Sequence, residues 1–433
     1  MKKLLLGTTA LVGASVVAGS ALAVPLQSQD EDGTQVLTAG MVSQWEVGAA
    51  SNDNYTGSAN TSDHGMLNGR FAEIWMNGEL TADNGLVYGA TIHMGTGAGV
   101  TTDGWPGREY IFMNGGWGSL EFGDNFHADS GMALCPTCRT YAGANGGIDA
   151  GLRYIAMPAG AADGGGAAAS GIRARAGAPY RQWFSKGIGV TYYTPIVSGF
   201  QAGITYAPNT SDNAVNAVDN AAGVYKDKIG FGGQWKGDFG DVNVGLSAVG
   251  AVSDGYLSAA TGTTGLNNEK DVNGLGMYML SAQIGWGSFQ VGGQYYDEGT
   301  SGAIKGRDFG FKSDGWGLDA AYWAGPLSFE VQYVSTEVQS SNRVVTAAAA
   351  LAHATTGGTT GFTVAPSALG ETYEVDIWTI GSNYQVAPGL SWYTGIQGVD
   401  IDHTQNATDL AANGAANLDN DAIAVFSGLQ MSF

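Results

Sequence analysis

The chain has 433 residues, 70 of them glycine, a formal net charge of −21 and only 13% charged side chains. Its 39 acidic against 18 basic residues exclude nucleic acid as a natural partner, because phosphate binding needs a basic surface. Soluble domains carry roughly 25% charged residues, so the composition indicates a chain with one apolar and one polar face, as in membrane β-barrels.

The N-terminus has the three-part layout of a secretory signal. Lys2 and Lys3 precede an apolar stretch over 4–18, and Ala21-Leu22-Ala23 is a cleavage site of the A-x-A type. Residues 1–23 are therefore predicted to be a signal peptide, and residues 24–433 the mature barrel. No later window reaches the roughly 18 apolar residues that a helical span needs, which excludes a helical inner-membrane protein.

Short segments with period-two alternation dominate the mature chain. In 327–333 and 423–433, apolar or aromatic residues take alternate positions, and polar residues or glycine fill the others. Tight turns and long polar loops follow one another in strict order, which is typical of outer-membrane barrels. The predicted strands lie near 36–50, 65–80, 86–97, 107–114, 119–124, 185–194, 200–207, 228–236, 240–251, 272–285, 288–297, 314–324, 327–338, 371–386, 389–400 and 420–433.

These segments predict an all-β fold, a 16-stranded antiparallel transmembrane β-barrel. Short turns lie on the periplasmic side and long loops on the extracellular side, and the even strand number suits a bacterial single-chain barrel. A barrel of this size encloses a water-filled lumen rather than a packed core. The strand near 65–80 does not alternate cleanly, because Glu73, Trp75 and Asn77 share a parity; a bulge or a protein-covered face would explain it.

The third long loop, over about 125–184, differs from the others in length and charge. Long loops without secondary structure are usually functional. This one holds six bases against four acids between 124 and 186, in a chain that is otherwise rich in acids. Folded into the lumen, it would narrow the pore and sort solutes by size and charge. The candidate constriction residues are Glu121, Asp124, Asp129, Arg139, Asp149, Arg153, Arg173, Arg175, Arg181 and Lys186.

Three alternatives remain open. The arginines of the loop either line the permeation path or tether the loop to the wall through carboxylates. Cys135 and Cys138, in a CPTC sequence, form a local disulfide staple, a redox pair or two idle thiols. Aromatic residues on outward parities form interfacial girdles or, less favoured, a path on which sugars stack; they are Tyr88, Trp117, Tyr192, Tyr206, Trp286 and Tyr295.

Three motifs carry a resemblance to a known family. They are the turn 83–86 (DNGL), the segment 118–124 (GSLEFGD) followed by 191–200 (TYYTPIVSGF), and the alternating C-terminus that ends in Phe433. In this order and spacing the chain resembles the Gram-negative general porins of the alphaproteobacterial type. The resemblance implies a homotrimer embedded in outer-membrane lipid and lipopolysaccharide, a constriction by the third loop, passive diffusion, and recognition of Phe433 by the barrel-assembly machinery.

No motif for catalysis or metal binding is present. The five histidines are scattered without metal-ligand spacing, and His93 is the one placed firmly mid-strand, on an inward parity. We expect no catalytic residue, no metal and no cofactor, apart from weak Ca²⁺ binding at Asp30-Glu31-Asp32 or 419–421.

The predicted function is an outer-membrane porin for passive diffusion of ions and small hydrophilic solutes. The alternatives are a substrate-selective channel with an internal binding site, an enzyme on a barrel, and an anchoring barrel. The total charge predicts cation preference, whereas the basic third loop predicts anions or little preference. We favour a weak cation preference because inward parities also carry Glu121, Asp241, Asp319 and Glu330.

Overall fold

The computed structural model describes most of the mature chain. The described residues are 24–30, 33–53, 67–97, 106–138, 155, 186–209, 225–255, 273–299, 301, 312–340, 371–404 and 420–433. The predicted signal peptide lies outside them and stays a prediction. Within the described ranges, no α-helix has the length and apolar character of a bilayer-spanning helix.

Within these described ranges, seventeen strands make up a single antiparallel sheet. They are β1 Val24–Asp30, β2 Gly33–Asp53, β3 Leu67–Thr81, β4 Val87–Gly97, β5 Pro106–Gly115, β6 Gly118–Phe126, β7 Lys186–Tyr193, β8 Phe200–Asn209, β9 Tyr225–Phe239, β10 Val242–Gly255, β11 Gly276–Trp286, β12 Phe289–Asp297, β13 Lys312–Ala324, β14 Leu327–Ser340, β15 Glu371–Ala387, β16 Leu390–Thr404 and β17 Asn420–Ser432.

Strands β2 to β17 close into a barrel of sixteen. Each pairs with the next in sequence, and β17 returns to β2 in a register that runs from Asp421 opposite Asp53 to Ser432 opposite Val42. Phe433 extends this seam, because its backbone exchanges hydrogen bonds of 2.8 and 3.0 Å with Met41. Closure leaves the sixteen strands β2 to β17 without a free sheet edge and pairs the backbone groups that lipid cannot satisfy.

The sixteen predicted strands are confirmed, with limits that differ by a few residues. The short strand β1 was not predicted; it pairs antiparallel with the first residues of β2, from Val24 opposite Ala39 to Asp30 opposite Gly33. The sequence predicts Asp241 in a strand on an inward parity, and this is wrong: Asp241 is exposed in the turn between β9 and β10. That turn is tight because Gly240 adopts a φ of 63°, a conformation that glycine reaches without strain.

The alternation predicted from sequence separates the two faces of the wall. Along β11 exposed and buried residues alternate almost throughout. On β17, Ile423, Val425, Leu429 and Met431 are exposed on the outer face, as predicted. The outward aromatic residues include Trp117, stacked on Tyr192 with ring centroids 6.2 Å apart. The remaining girdle candidates, exposed as predicted, are Tyr88, Tyr206, Trp286 and Tyr295.

Strand β3 follows the same rule despite its sequence. Ile74 and Met76 are exposed on the outer face, 45% and 40% respectively. Glu73, Trp75 and Asn77 have the other parity and face the lumen. The pairing of β3 with β2 therefore contains no bulge. The inner face of β3 carries the large aromatic residue Trp75 between the polar residues Glu73 and Asn77.

Candidate functional site

The first part of the third loop runs along the inner wall of the barrel. After β6 the chain forms one helical turn, α1, at Ala128–Gly131, and then a 3₁₀ turn at Pro136–Cys138. α1 packs on β6 to β10, and the 3₁₀ turn packs on β11 to β14. The prediction that the third loop folds into the lumen is confirmed for this stretch, which we call the loop root and define as residues 127–138.

A buried ion pair joins the loop root to β9. Lys228 Nζ lies 2.8 Å from Asp129 Oδ2, and each side chain is 1% exposed. Lys228 Nζ also lies 3.2 Å from His127 Nδ1, and His127 Nε2 lies 3.3 Å from the Gly187 carbonyl oxygen on β7. These partners assign the proton of the imidazole to Nε2, which donates to Gly187, while Nδ1 accepts from Lys228.

The titration of the two loop-root groups follows from this environment. Burial, together with the charge of Lys228, lowers the pKa of His127 from 6.5 to about 3, so the imidazole is neutral. Burial raises the pKa of Asp129, and the adjacent Lys228 opposes that rise. A neutral His127 suits a site that already holds the Lys228 cation.

Two hydrogen bonds fasten the backbone of the loop root to other strands. The Ala128 N–H donates to Thr205 Oγ1 on β8 at 2.7 Å, and the Leu134 N–H donates to Ser247 Oγ on β10 at 2.9 Å. Cys135 is disulfide-bonded, and the chain has one other cysteine, Cys138. Of the alternatives left open for the CPTC sequence, the structure therefore contains the disulfide.

Inward-facing glycines make room for the loop root. A Cβ on Gly232 would lie 2.9 Å from Met132 Cβ, and one on Gly292 would lie 2.6 Å from Pro136 Cβ. Both distances are shorter than atoms tolerate, so a Cβ at either position would require the loop or the wall to shift. Five residues share this property and together form what we call the glycine seat: Gly203, Gly230, Gly232, Gly292 and Gly317.

Apolar packing completes the contact between loop and wall. Met132 and Ala128 are fully buried in a cluster with side chains of β7 and β10 to β12, among them Tyr193 and Tyr296. Further along the loop, Ile155 is 2% exposed and belongs to a second cluster on β2 and β14 to β17. The described loop residues are thus seated on most of the wall, and β3 to β5 lie outside that seat.

The inner face of β3 to β5 carries a polar and aromatic cluster. His93 Nδ1 is hydrogen-bonded to Glu73 Oε1, and Arg108 Nη2 lies 3.0 Å from His93 Nδ1 and 3.9 Å from Glu73 Oε1. The Arg108 guanidinium also lies 4.7 Å from the centroid of the Phe126 ring. Trp75 stacks on His93 with centroids 6.5 Å apart. We call Glu73, Trp75, His93 and Arg108 the wall cluster.

The predicted constriction residues fall into three groups. Asp129 lies in the loop root, buried against Lys228. Glu121 and Asp124 lie in β6, where Glu121 accepts a 2.7 Å hydrogen bond from Asn125 Nδ2 and Asp124 is 7% exposed; Lys186 begins β7. The others lie outside the described residues, and their role in the constriction stays a prediction: Arg139, Asp149, Arg153, Arg173, Arg175 and Arg181.

Sequence reasoning missed the partners of the loop on the wall. Lys228 lies 99 residues from Asp129 in sequence, and its only local signal is a lysine on an inward parity in a chain with few bases. The wall cluster left a stronger signal, because His93 was already placed mid-strand and inward. Among the described residues, no group of three or more His, Cys, Asp or Glu is arranged to hold a metal ion. Weak Ca²⁺ binding stays a prediction; of those acids, Glu31, Asp32 and Asp419 lie outside the described ranges.

A closed barrel of sixteen strands, apolar outside and polar inside, with a loop seated in its lumen, defines the class of outer-membrane diffusion channels. A sequence model of the Gram-negative porin family matches residues 7–404. The chain therefore belongs to the Gram-negative porins. It is an outer-membrane β-barrel that forms a channel for passive diffusion, in a family of channels rather than enzymes.

Solved porin structures share this fold at low sequence identity. OmpT of Vibrio cholerae is 13% identical with a TM-score of 0.54, and the match covers 94% of this chain and all of OmpT. An anion-selective porin from Comamonas acidovorans is 14% identical with a TM-score of 0.53, covering 92% of this chain and 100% of that one. A mutant of Rhodopseudomonas blastica porin is 13% identical with a TM-score of 0.50, with the same coverage. Among curated protein sequences, none matches this chain.

Proposed function

We propose that the protein is a homotrimer of general diffusion pores with a weak preference for cations. In each pore the solutes pass between the seated third loop and the wall cluster. The observation that carries this proposal is that the loop contacts only one side of the lumen through its described residues. The loop root lies against β6 to β14, and Ile155 lies against β14 to β17 and β2. Among the described residues, no part of the loop is seated on the inner face of β3 to β5, and we assign the permeation path to that face.

The charges of that wall support weak rather than strong selectivity. Glu73 and Arg108 are 27% and 20% exposed and lie 3.9 Å apart, so their fields largely cancel. Deeper in the inner wall, Glu46, Asp319 and Glu330 are nearly buried. Their fields add a modest attraction for cations. Within the described residues, no arrangement of the inner wall favours the rival proposal of a substrate-selective channel.

The outer surface supports self-association through β3 to β6. On strands outside β3 to β6, the extracellular half of the outer surface carries exposed aromatic residues. They are Tyr206, Tyr278, Tyr295, Trp316 and Trp378. At a similar distance from the periplasmic turns, β3 to β5 present Ile74, Met94 and Glu109 instead. An exposed carboxylate on a lipid-facing surface is costly, whereas a protein neighbour can cover it.

A hollow in the same surface favours a second copy of this chain as the neighbour. It has a volume of about 670 Å³ and is lined by Met76, Gly78, Ala90, Ile92 and Ile111, among others. Small residues let membrane-embedded elements approach closely, and packing rather than lipid exclusion drives such association. The number of copies, three, follows from the family resemblance.

Two alanine positions provide a matched test of this interface. Ala90 lines the hollow, whereas Ala320 is exposed on the outer face of β13. We expect Ala90→Trp to dissociate the trimer into folded monomers and Ala320→Trp to leave it intact, as measured by light scattering in detergent. A stable trimer with Ala90→Trp would contradict the proposed interface.

Single-channel recording in planar bilayers tests the pore itself. Wild-type protein should open in groups of three steps, with a conductance that grows in proportion to salt and a reversal potential of weak cation sign. Solute-dependent block would favour the substrate-selective alternative. Absence of conductance from folded protein would refute diffusion. Contacts with lipopolysaccharide and recognition of Phe433 by the assembly machinery remain part of this proposal.

A further inference from the structure

The loop root is held at one place on β9 by two features that coincide. Asp129 contacts Lys228 through Oδ2, 2.8 Å from Nζ. Its other oxygen, Oδ1, occupies the space that a side chain on Gly230 would fill. Because Lys228 and Gly230 are consecutive inward positions on one strand, the Asp129 carboxylate spans both.

A buried ion pair in this setting fixes position more than it adds stability. Taking both charges out of water offsets much of their attraction. The ion pair forms only when α1 lies beside Lys228 along β9. The space at Gly230 accommodates the Asp129 carboxylate only in that same position. Charge and shape therefore select the same placement of the loop.

We propose that Asp129, Lys228 and Gly230 form a latch that holds the loop root against the wall and keeps the lumen clear. They are positioning residues, and none needs to touch a solute. Opening of the latch frees the root from β9, so that it moves into the lumen and interrupts the current. The inference rests on the channel function; if wild-type protein did not conduct, the channel function would fail rather than the latch.

Removing either charge tests the latch. Lys228→Met and Asp129→Asn should each lower the mean single-channel current about twofold through frequent brief closures, because a freed loop intrudes on the permeation path. The double variant should be no worse than either single one, since both remove the same contact. Quiet, full-size openings in folded single variants would overturn the latch, as would larger openings without added closures.

Two glycines on β9 provide a test that leaves both charges in place. A Cβ on Gly230 would overlap the Asp129 carboxylate, whereas one on Gly233 would meet Phe200 at an ordinary 3.5 Å. Gly230→Ala should therefore reproduce the closures of Lys228→Met, and Gly233→Ala should conduct like the wild type. Equal currents in the two alanine variants would overturn the inference. Heat-modifiable mobility on gels identifies the folded barrels that enter the comparison.

A crosslink across the seat separates a positional role from a general loss of folding. A Cβ on Gly232 would lie 2.9 Å from Met132 Cβ, close enough for a disulfide after a small shift. In the Lys228→Met background, Met132→Cys with Gly232→Cys should restore quiet openings when oxidised and lose them in reductant. Lys228→Met alone, treated with the same reductant, controls for the native disulfide of Cys135. Closures that persist in the oxidised protein would overturn the latch.

Discussion

Seating of the loop root should weaken as the pH falls, because His127 must stay neutral to remain in place. Burial and Lys228 lower its pKa from 6.5 to about 3. A base whose pKa is lowered in the seated state binds fewer protons there than in the released state. Its contribution is therefore complete above pH 6.5 and is lost as the pH falls from 6.5 towards 3.

The magnitude follows from those two pKa values. Between pH 7 and pH 5 the released imidazole takes up most of a proton that the seated one does not, which costs the seated state about 2 kcal/mol. Asp129 also titrates in acid: burial raises the pKa of its carboxyl group, and the adjacent Lys228 opposes that rise. A variant that changes only His127 separates the two effects.

Hydrogen–deuterium exchange of a loop-root peptide is the assay. The Ala128 and Leu134 amides are suitable reporters because each donates to a side chain on the wall. After correction for intrinsic rates, exchange in the wild type should rise about 30-fold more between pH 7 and pH 5 than in His127→Gln. Equal pH responses in the two proteins would refute the role of His127, and slower wild-type exchange at pH 5 would reverse the predicted sign.

Three further predictions concern the wall, the staple and the seam. Arg108→Ala should move the reversal potential towards cations by about 10 mV in a tenfold salt gradient, and Glu73→Gln should move it the other way; shifts of one sign would contradict the opposed pair. Cys135→Ser should speed exchange in the 3₁₀ turn roughly tenfold, and unchanged exchange would show that the disulfide does not hold it. Deleting Phe433 removes two backbone hydrogen bonds to Met41, which should lower the urea-unfolding free energy by about 2 kcal/mol; unaltered unfolding would contradict this.

The wall of the barrel was predictable because its signal is local. Alternation along β17 predicts one apolar face and one face of small or polar residues. The exposed side chains of Ile423 and Val425 confirm that the apolar face points outward. Tight turns containing glycine set the strand limits to within a few residues. The strand β1 escaped prediction because VPLQSQD lacks alternation and precedes a segment rich in acids.

The site was less predictable because its contacts join distant parts of the chain. The sequence marks Asp129 as a candidate by its charge, whereas its partner Lys228 and the opening at Gly230 are brought to it by the closure of the barrel. The charge count of the third loop suggested a constriction of opposed acids and bases. The described part instead holds its one acid in an ion pair with Lys228. Among the described residues, the wall cluster is then the charged surface nearest to the proposed path.

Inward glycines show why pattern alone cannot separate wall from seat. In a period-two reading, Gly203 and Gly232 count simply as non-apolar positions on the lumen face. The structure shows why both are glycine: Met132 lies 2.8 Å and 2.9 Å from where their Cβ atoms would be, and at Gly203 the ring of Tyr193 lies 2.7 Å away as well. A glycine facing an empty lumen gains nothing over alanine, whereas one under a seated loop is required. The pattern of tolerated Gly→Ala changes along β8 to β13 should therefore trace the path of the loop root across the wall.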